Sequence, residues 1–156
     1  MAYPDPVQDE GELFVRWLDF LRRSLISKLD GLGEEQARWH PDGKLLSVLG
    51  VVNHLTCVEW RWIDGAFIGL ETSRSEEEFR PAPTIAVDDI LTAYRVRGAE
   101  TTRVIRGAAL LTKPCVHPMA KGRDLRWVLL HLVEETARHA GHADATRELL
   151  DGATGL

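Results

Sequence analysis

Cysteine is scarce in this chain: there are two, Cys57 and Cys115, far apart and in no CxxC pattern. That argues against a disulfide-stapled framework and for a reducing, cytoplasmic setting. No apolar run approaches the roughly 20 residues of a membrane span, so no membrane partner is expected. A basic block or stripe is missing too. With 19 basic residues against 24 acidic the net charge is −5, which argues against nucleic acid as a partner. The opening MAYPDPVQDEGE is acidic and proline-bearing, so a signal peptide is not expected. Internal repeats, low-complexity tracts and convincing strand patterns are also wanting. What remains is 156 residues, 44% hydrophobic and 28% charged, enough to bury a core without staples. The expectation is a single soluble domain over 1–156, with a loose lead-in at 1–8 where Pro4 and Pro6 block regular structure.

Four stretches read as helices. Asp9 caps the first, about 9–30, in which Leu13, Trp17, Phe20, Leu21, Leu25 and Leu29 recur at spacings of three and four. Gly31 and Gly33 end it. The connector EEQARWHPDGKL follows, with Pro41-Asp42-Gly43 as turn chemistry and Trp39 and His40 as loop packing. Ser47 caps the second helix, about 47–69, where His54 sits within an apolar face of Val48, Val51, Leu55, Val58, Trp62 and Phe67. Glu71 to Pro83 is a polar surface crossover, and its run Glu76, Glu77, Glu78 reads as a solvated face. The third helix, about 86–110, turns Ile90, Leu91, Tyr94, Thr101, Val104 and Ile105 inward and is weakest around Gly98. LTKPCVHPMAKGRD is irregular and delivers Cys115 and His117 to the mouth of the enclosed space, His117 as a lid residue. Asp124 caps the fourth helix, which ends at Asp151-Gly152. Four helices and one long crossover between the second and third predict an all-α four-helix bundle.

The fourth helix holds the dense set of metal-type ligands. At roughly 100° per residue, His131, Glu135, His139 and His142 fall within an arc of about 80°, among or beside Leu125, Val128, Leu132 and Leu149. Buried polar groups cost free energy unless satisfied. Core histidines bonded to one another and to water are one answer; a metal ion satisfying several at once is the other. Glu135 and His139 stack one turn apart, and His54 can meet them, because bundles build metal sites from facing helices. One carboxylate, two imidazoles and an open position is the composition of a catalytic zinc site. ETARH lacks the general base of the HExxH helix, which argues against a peptidase. His142 lies on the same arc and competes with Glu135 as third ligand.

NHLTCVEWRW on the second helix, together with LRWVLLHLVEETARHAGHADATRELLDGATG, resembles the DinB-like superfamily, in an actinobacterial branch of unassigned function. The resemblance covers essentially the whole chain. It implies an up-down-down-up four-helix bundle that binds a divalent metal, zinc or nickel, and a homodimer. Mycothiol-dependent maleylpyruvate isomerases and the mycothiol and bacillithiol S-transferases belong to that superfamily. Residue by residue, the resemblance puts the metal ligands on His54, Glu135 and His139. His142 is extra to the general pattern and would line the pocket as acid or base. The implied chemistry is attack of a low-molecular-weight thiol such as mycothiol on a small electrophile, by S-transfer or isomerisation. Arg61, Arg123, Arg138 and Arg147 are either anchors for a carboxylate-bearing substrate or solvated surface residues. Cys57, one turn from His54, is either a soft fourth ligand or a small hydrophobe. Two other readings stay open: a metal- or small-molecule-binding bundle without turnover, in stress or detoxification, and a helical dimerisation module with structural histidines.

Overall fold

The computed structural model describes residues 2–41 and 45–154. Five α-helices appear among them: α1 (Glu10–Ser27), α2 (Glu34–Arg38), α3 (Val48–Trp60), α4 (Val87–Gly107) and α5 (Leu125–Asp151). Helix α3 continues into a π-helical stretch at Arg61–Ile68, and 3-10 turns occupy Glu76–Phe79 and Pro118–Ala120. The one β pairing among the described residues is an isolated bridge between Pro114 and Asp124. The protein is all-helical, as expected. The short α2 sits in the connector read as a turn; Asp42 and Gly43 of that turn lie outside the described residues.

Capping explains where three of the four long helices begin. The Asp9 carboxylate accepts from the Glu12 amide at 2.7 Å, the Ser47 hydroxyl from the Gly50 amide at 3.0 Å, and the Asp124 carboxylate from the Trp127 amide at 2.9 Å. Each cap satisfies an otherwise orphaned first-turn donor, worth about 1 kcal/mol. Gly152, at φ 78°, ends α5 in the left-handed conformation that favours glycine.

The four long helices pack in pairs: α1 on α4 and α5, α3 on α4 and α5. Side chains tie their ends together. Glu10 and Arg126 join the starts of α1 and α5 at 2.7 Å, and Arg147 near the end of α5 donates to the Lys28 and Asp30 carbonyls just beyond α1. Arg106 at the end of α4 meets Glu12 at the start of α1. Thr146 on α5 donates to the Leu46 carbonyl just before α3. Between the helices lie Leu18, Leu25, Leu49, Leu55, Ile63, Leu125, Leu129 and Leu132, all fully buried.

Several side chains depart from the sequence reading. Leu13 and Leu149 are exposed, and Val15 and Leu18 fill the core beside Leu25. The α1 stripe serves two partners: Trp17 and Phe20 also receive Tyr3, with ring centroids 6.0 and 5.4 Å away. The lead-in is therefore irregular but docked, and the Asp5 carbonyl accepts from Arg16 as well. Arg22 of α1, which carried no signal in the sequence, is buried and grips Glu59 of α3 through two hydrogen bonds at 2.8 and 2.7 Å. Its side chain crosses α4 at Gly98, where a Cβ would stand 3.0 Å from the Arg22 Nε. Gly98 is thus a point of close approach rather than a weak spot.

Candidate metal centre

His54 enters the interior because α3 is apolar on nearly every side and Val51, Leu55 and Val58 around it are buried. From α5, Glu135 and His139 project one turn apart toward the same point. The Glu135 Oε1 lies 3.6 Å from the His54 Nε2 and 3.4 Å from the His139 Nε2. The two imidazole rings stand edge to face, 4.7 Å between centroids. One ligand atom from each of the three residues falls within 4.8 Å of the others. His54 and His139 are buried and Glu135 nearly so, its side chain 12% exposed.

The electrostatics suit a cation. Burial pushes the His54 imidazole down to about 4, against the opposing hydrogen bond that the ring donates to Glu78, with His139 adding to the fall. Burial likewise lowers His139 to about 4, helped by His142 and Arg138. Both rings are therefore neutral at pH 7, the state in which imidazole ligates. The His139 Nδ1 is buried with no hydrogen-bond partner among the described residues. Two neutral imidazoles and a carboxylate converging on one point form a donor set for a divalent ion such as zinc, so the residues fit the group that the sequence resemblance implies.

The family model of the mycothiol-S-transferases matches residues 13–152, nearly the entire chain. The chain belongs to that family. The family is DinB-like, as the sequence motifs suggested. No curated protein matches the chain.

Not every residue expected in the site reaches it. His142 is exposed and stands beside His139, ring centroids 5.3 Å apart, but it is not one of the clustered donors. His131 faces elsewhere, packed against Trp62 at 4.5 Å and Trp127 at 5.4 Å. Its ligand atom still approaches Glu134 and Glu135, and Glu134 is solvent-exposed. Cys57, half-buried, is absent from the donor cluster, as are Cys115 and His117. Cys115 precedes α5, and ten helical residues, roughly 15 Å, separate the start of that helix from Glu135. His117 is exposed and its ring accepts from the Met119 amide, which occupies it as a cap.

The arginines are mostly engaged. Arg147 is bonded to Asp151 and to backbone carbonyls, and Arg123 lies over the Trp127 ring at 4.4 Å. Arg138, half-exposed, reaches both Glu134 and the outer oxygen of Glu135. Arg61 is bound to Glu78 at 2.5 Å. That partner is the residue the sequence reading missed. Glu78 belongs to the acid run expected to face solvent, yet it is buried and its Oε1 meets the His54 Nδ1 at 2.9 Å. The only signal for it was Ser75, three acids and then Phe79, the start-of-turn pattern of a capped segment. A cleft of about 690 Å³ between α1 and α4 has none of the three donors in its lining. Donor chemistry, not roominess, marks the centre.

Proposed function

We propose that the chain is a metal-dependent enzyme that transfers a low-molecular-weight thiol of the mycothiol type to a small electrophile, or isomerises such an electrophile through its thiol adduct. The observation that carries this reading is the convergence of His54, Glu135 and His139 within 4.8 Å, in a chain of the mycothiol-S-transferase family. Those three residues would hold a divalent cation, zinc or nickel. The chemistry such an ion supplies when bound is Lewis acidity, which lowers the pKa of a thiol and so raises its thiolate fraction.

The chain's own residues do the rest. The carboxylate of Glu135 offsets cationic charge in an interior of low dielectric. The neutral rings of His54 and His139 leave ligand lone pairs available at pH 7. His142, on the exposed side of His139, takes the thiol proton as general base. Sulfur then forms the S–C bond, and the leaving group departs with its electron pair, or the proton returns to the adduct where no group leaves. ETARH supplies no peptidase base, as the order of its residues already indicated.

The domain, assembly and setting belong to the same reading. Residues 1–156 form one domain, and the ties between helix ends support an up-down-down-up four-helix bundle with the crossover between α3 and α4. Both cysteines are free, which supports a reducing cytoplasm. No helix among the described residues is long and apolar enough to cross a membrane. The functional unit is a homodimer.

The test is turnover of a thiol-reactive electrophile by untagged, metal-loaded protein, with and without added mycothiol. We expect consumption of the electrophile only with the thiol present, loss of activity after chelation, and no cleavage of peptides. Peptide cleavage without thiol would overturn the assignment, and so would metal-independent transfer.

A further inference from the structure

The crossover between α3 and α4 is built onto one face of α3. Gly50, Asn53 and His54 recur on that face at helical spacing, with Arg61 just beyond the end of the helix, and each meets the segment Ser75–Arg80. At Gly50 a Cβ would stand 2.3 Å from the Phe79 carbonyl oxygen, so only glycine admits the crossover there. The Asn53 amide donates to the Glu78 carbonyl at 2.8 Å. Arg61 holds the Glu78 carboxylate with two donors, at 2.5 and 3.2 Å. The same carboxylate meets the His54 Nδ1 at 2.9 Å, and the Phe79 ring lies on the imidazole, 4.4 Å between centroids and 25° from parallel.

These contacts address the ring from its edge and its face at once. A carboxylate is acceptor-only when ionised, so the His54 Nδ1 must be the protonated nitrogen. That leaves the Nε2 lone pair bare, and Nε2 is the atom turned toward Glu135, 3.6 Å from its Oε1. Phe79 fixes the plane in which that lone pair points. The pairing of Glu78 with Arg61 makes it an oriented acceptor for the ring rather than a free anion. We propose that the crossover is a clamp for the α3 ligand, with Glu78 a positioning residue that sets the tautomer of His54 and Gly50 the opening that lets the clamp seat. The inference rests on the metal reading of His54, Glu135 and His139, and it adds to that reading a part of the chain that touches no metal.

Two measurements test it. The first is long-range ¹⁵N–¹H NMR of histidine-labelled, metal-free protein at pH 7. We expect a single His54 tautomer protonated at Nδ1, and a shift toward the Nε2-protonated form in Glu78→Ala. The second is zinc affinity by competition with a chromophoric chelator. Glu78→Ala should bind about 10–100-fold more weakly, the usual cost of losing such a support, with its helical circular dichroism intact. Glu78→Gln, whose amide oxygen still accepts from Nδ1, should recover part of the loss. Gly50→Ala, which leaves every ligand in place, should weaken binding as well and serves if Glu78→Ala does not fold. An Nε2-protonated His54 in the unaltered protein overturns the clamp. So does unchanged zinc affinity in Glu78→Ala alongside a metal-free His54→Ala, or an affinity loss with no change of tautomer. Full zinc retention by His54→Ala would instead remove the metal reading, and the tautomer result would still decide what Glu78 does.

Discussion

Glu135 and His142 flank His139 on the same helix, and backbone geometry alone allows either to complete a ligand set with His54. Distances separate them. The Glu135 Oε1 is 3.4 and 3.6 Å from the two Nε2 atoms, whereas the His142 ring is exposed and 5.3 Å from that of His139. Glu135→Ala should therefore lose stoichiometric metal, measured by elemental analysis of untagged protein. His142→Ala should keep it, with affinity weakened by no more than about 10–100-fold, and should lose activity. A metal-free His142→Ala beside a loaded Glu135→Ala would exchange the two roles. His54, His139 and the competing pair Glu135 and His142 were legible in the sequence because ligand-type residues at helical spacing are rare on an apolar face. Glu78 was not legible: a third acid in a polar run looks solvated until a distant helix offers it His54 and Arg61.

At the scale of elements, the contact of α1, α3 and α4 turns on one glycine. By propensity, Gly98→Ala should stabilise α4 by roughly 1 kcal/mol. The added Cβ would meet Arg22 at 3.0 to 3.2 Å along its Nε, Cδ and Cζ atoms. That side chain cannot step aside without breaking its paired hydrogen bonds to Glu59, and breaking a buried ion pair costs about 3–5 kcal/mol. The steric effect wins, so Gly98→Ala should lower stability in urea unfolding; a gain would show that Arg22 has room to move. The elements themselves were largely readable, since Asp9, Ser47 and Asp124 cap where expected. Helix α2 was missed because it is a single short segment, below the length at which periodicity shows. The π-helical stretch was missed because its extra residue per turn leaves no composition signal.

For the molecule as a whole, the buried histidines couple stability to pH. In the unfolded chain an imidazole titrates near about 6.5, while His54 and His139 in the folded protein titrate at about 4. Between those values the unfolded chain binds protons that the folded one refuses, so stability falls as pH drops through the window and is level above it. Glu78 acts in the same direction. Burial raises its carboxyl, but Arg61 and His54 outweigh that and hold it below its ordinary value; its contribution is present above the unfolded carboxyl pKa and is lost on acidification. Each pKa unit is roughly 1.4 kcal/mol, so metal-free protein should lose on the order of a few kcal/mol between pH 7 and pH 4.5. Urea unfolding in chelator across that range checks it, and His54→Ala should flatten the profile. An equally steep profile in that variant would mean the protons go elsewhere.

Local chemistry was enough to determine the helical class and the capped starts of three of the long helices, and to bring His54, Glu135, His139 and His142 forward as candidate ligands, because caps, apolar periodicity and helical spacing are properties of neighbouring residues. Family membership followed from motifs of the same local kind. Tertiary structure alone decided which polar residues share a burial site. Arg22 with Glu59, Gly98 beneath Arg22, and Glu78 with Arg61 and His54 join positions far apart in the chain. Such pairs leave no periodic trace, since a buried charge is tolerated only where a distant partner completes it, and that partner is chosen by how the helices and the crossover meet.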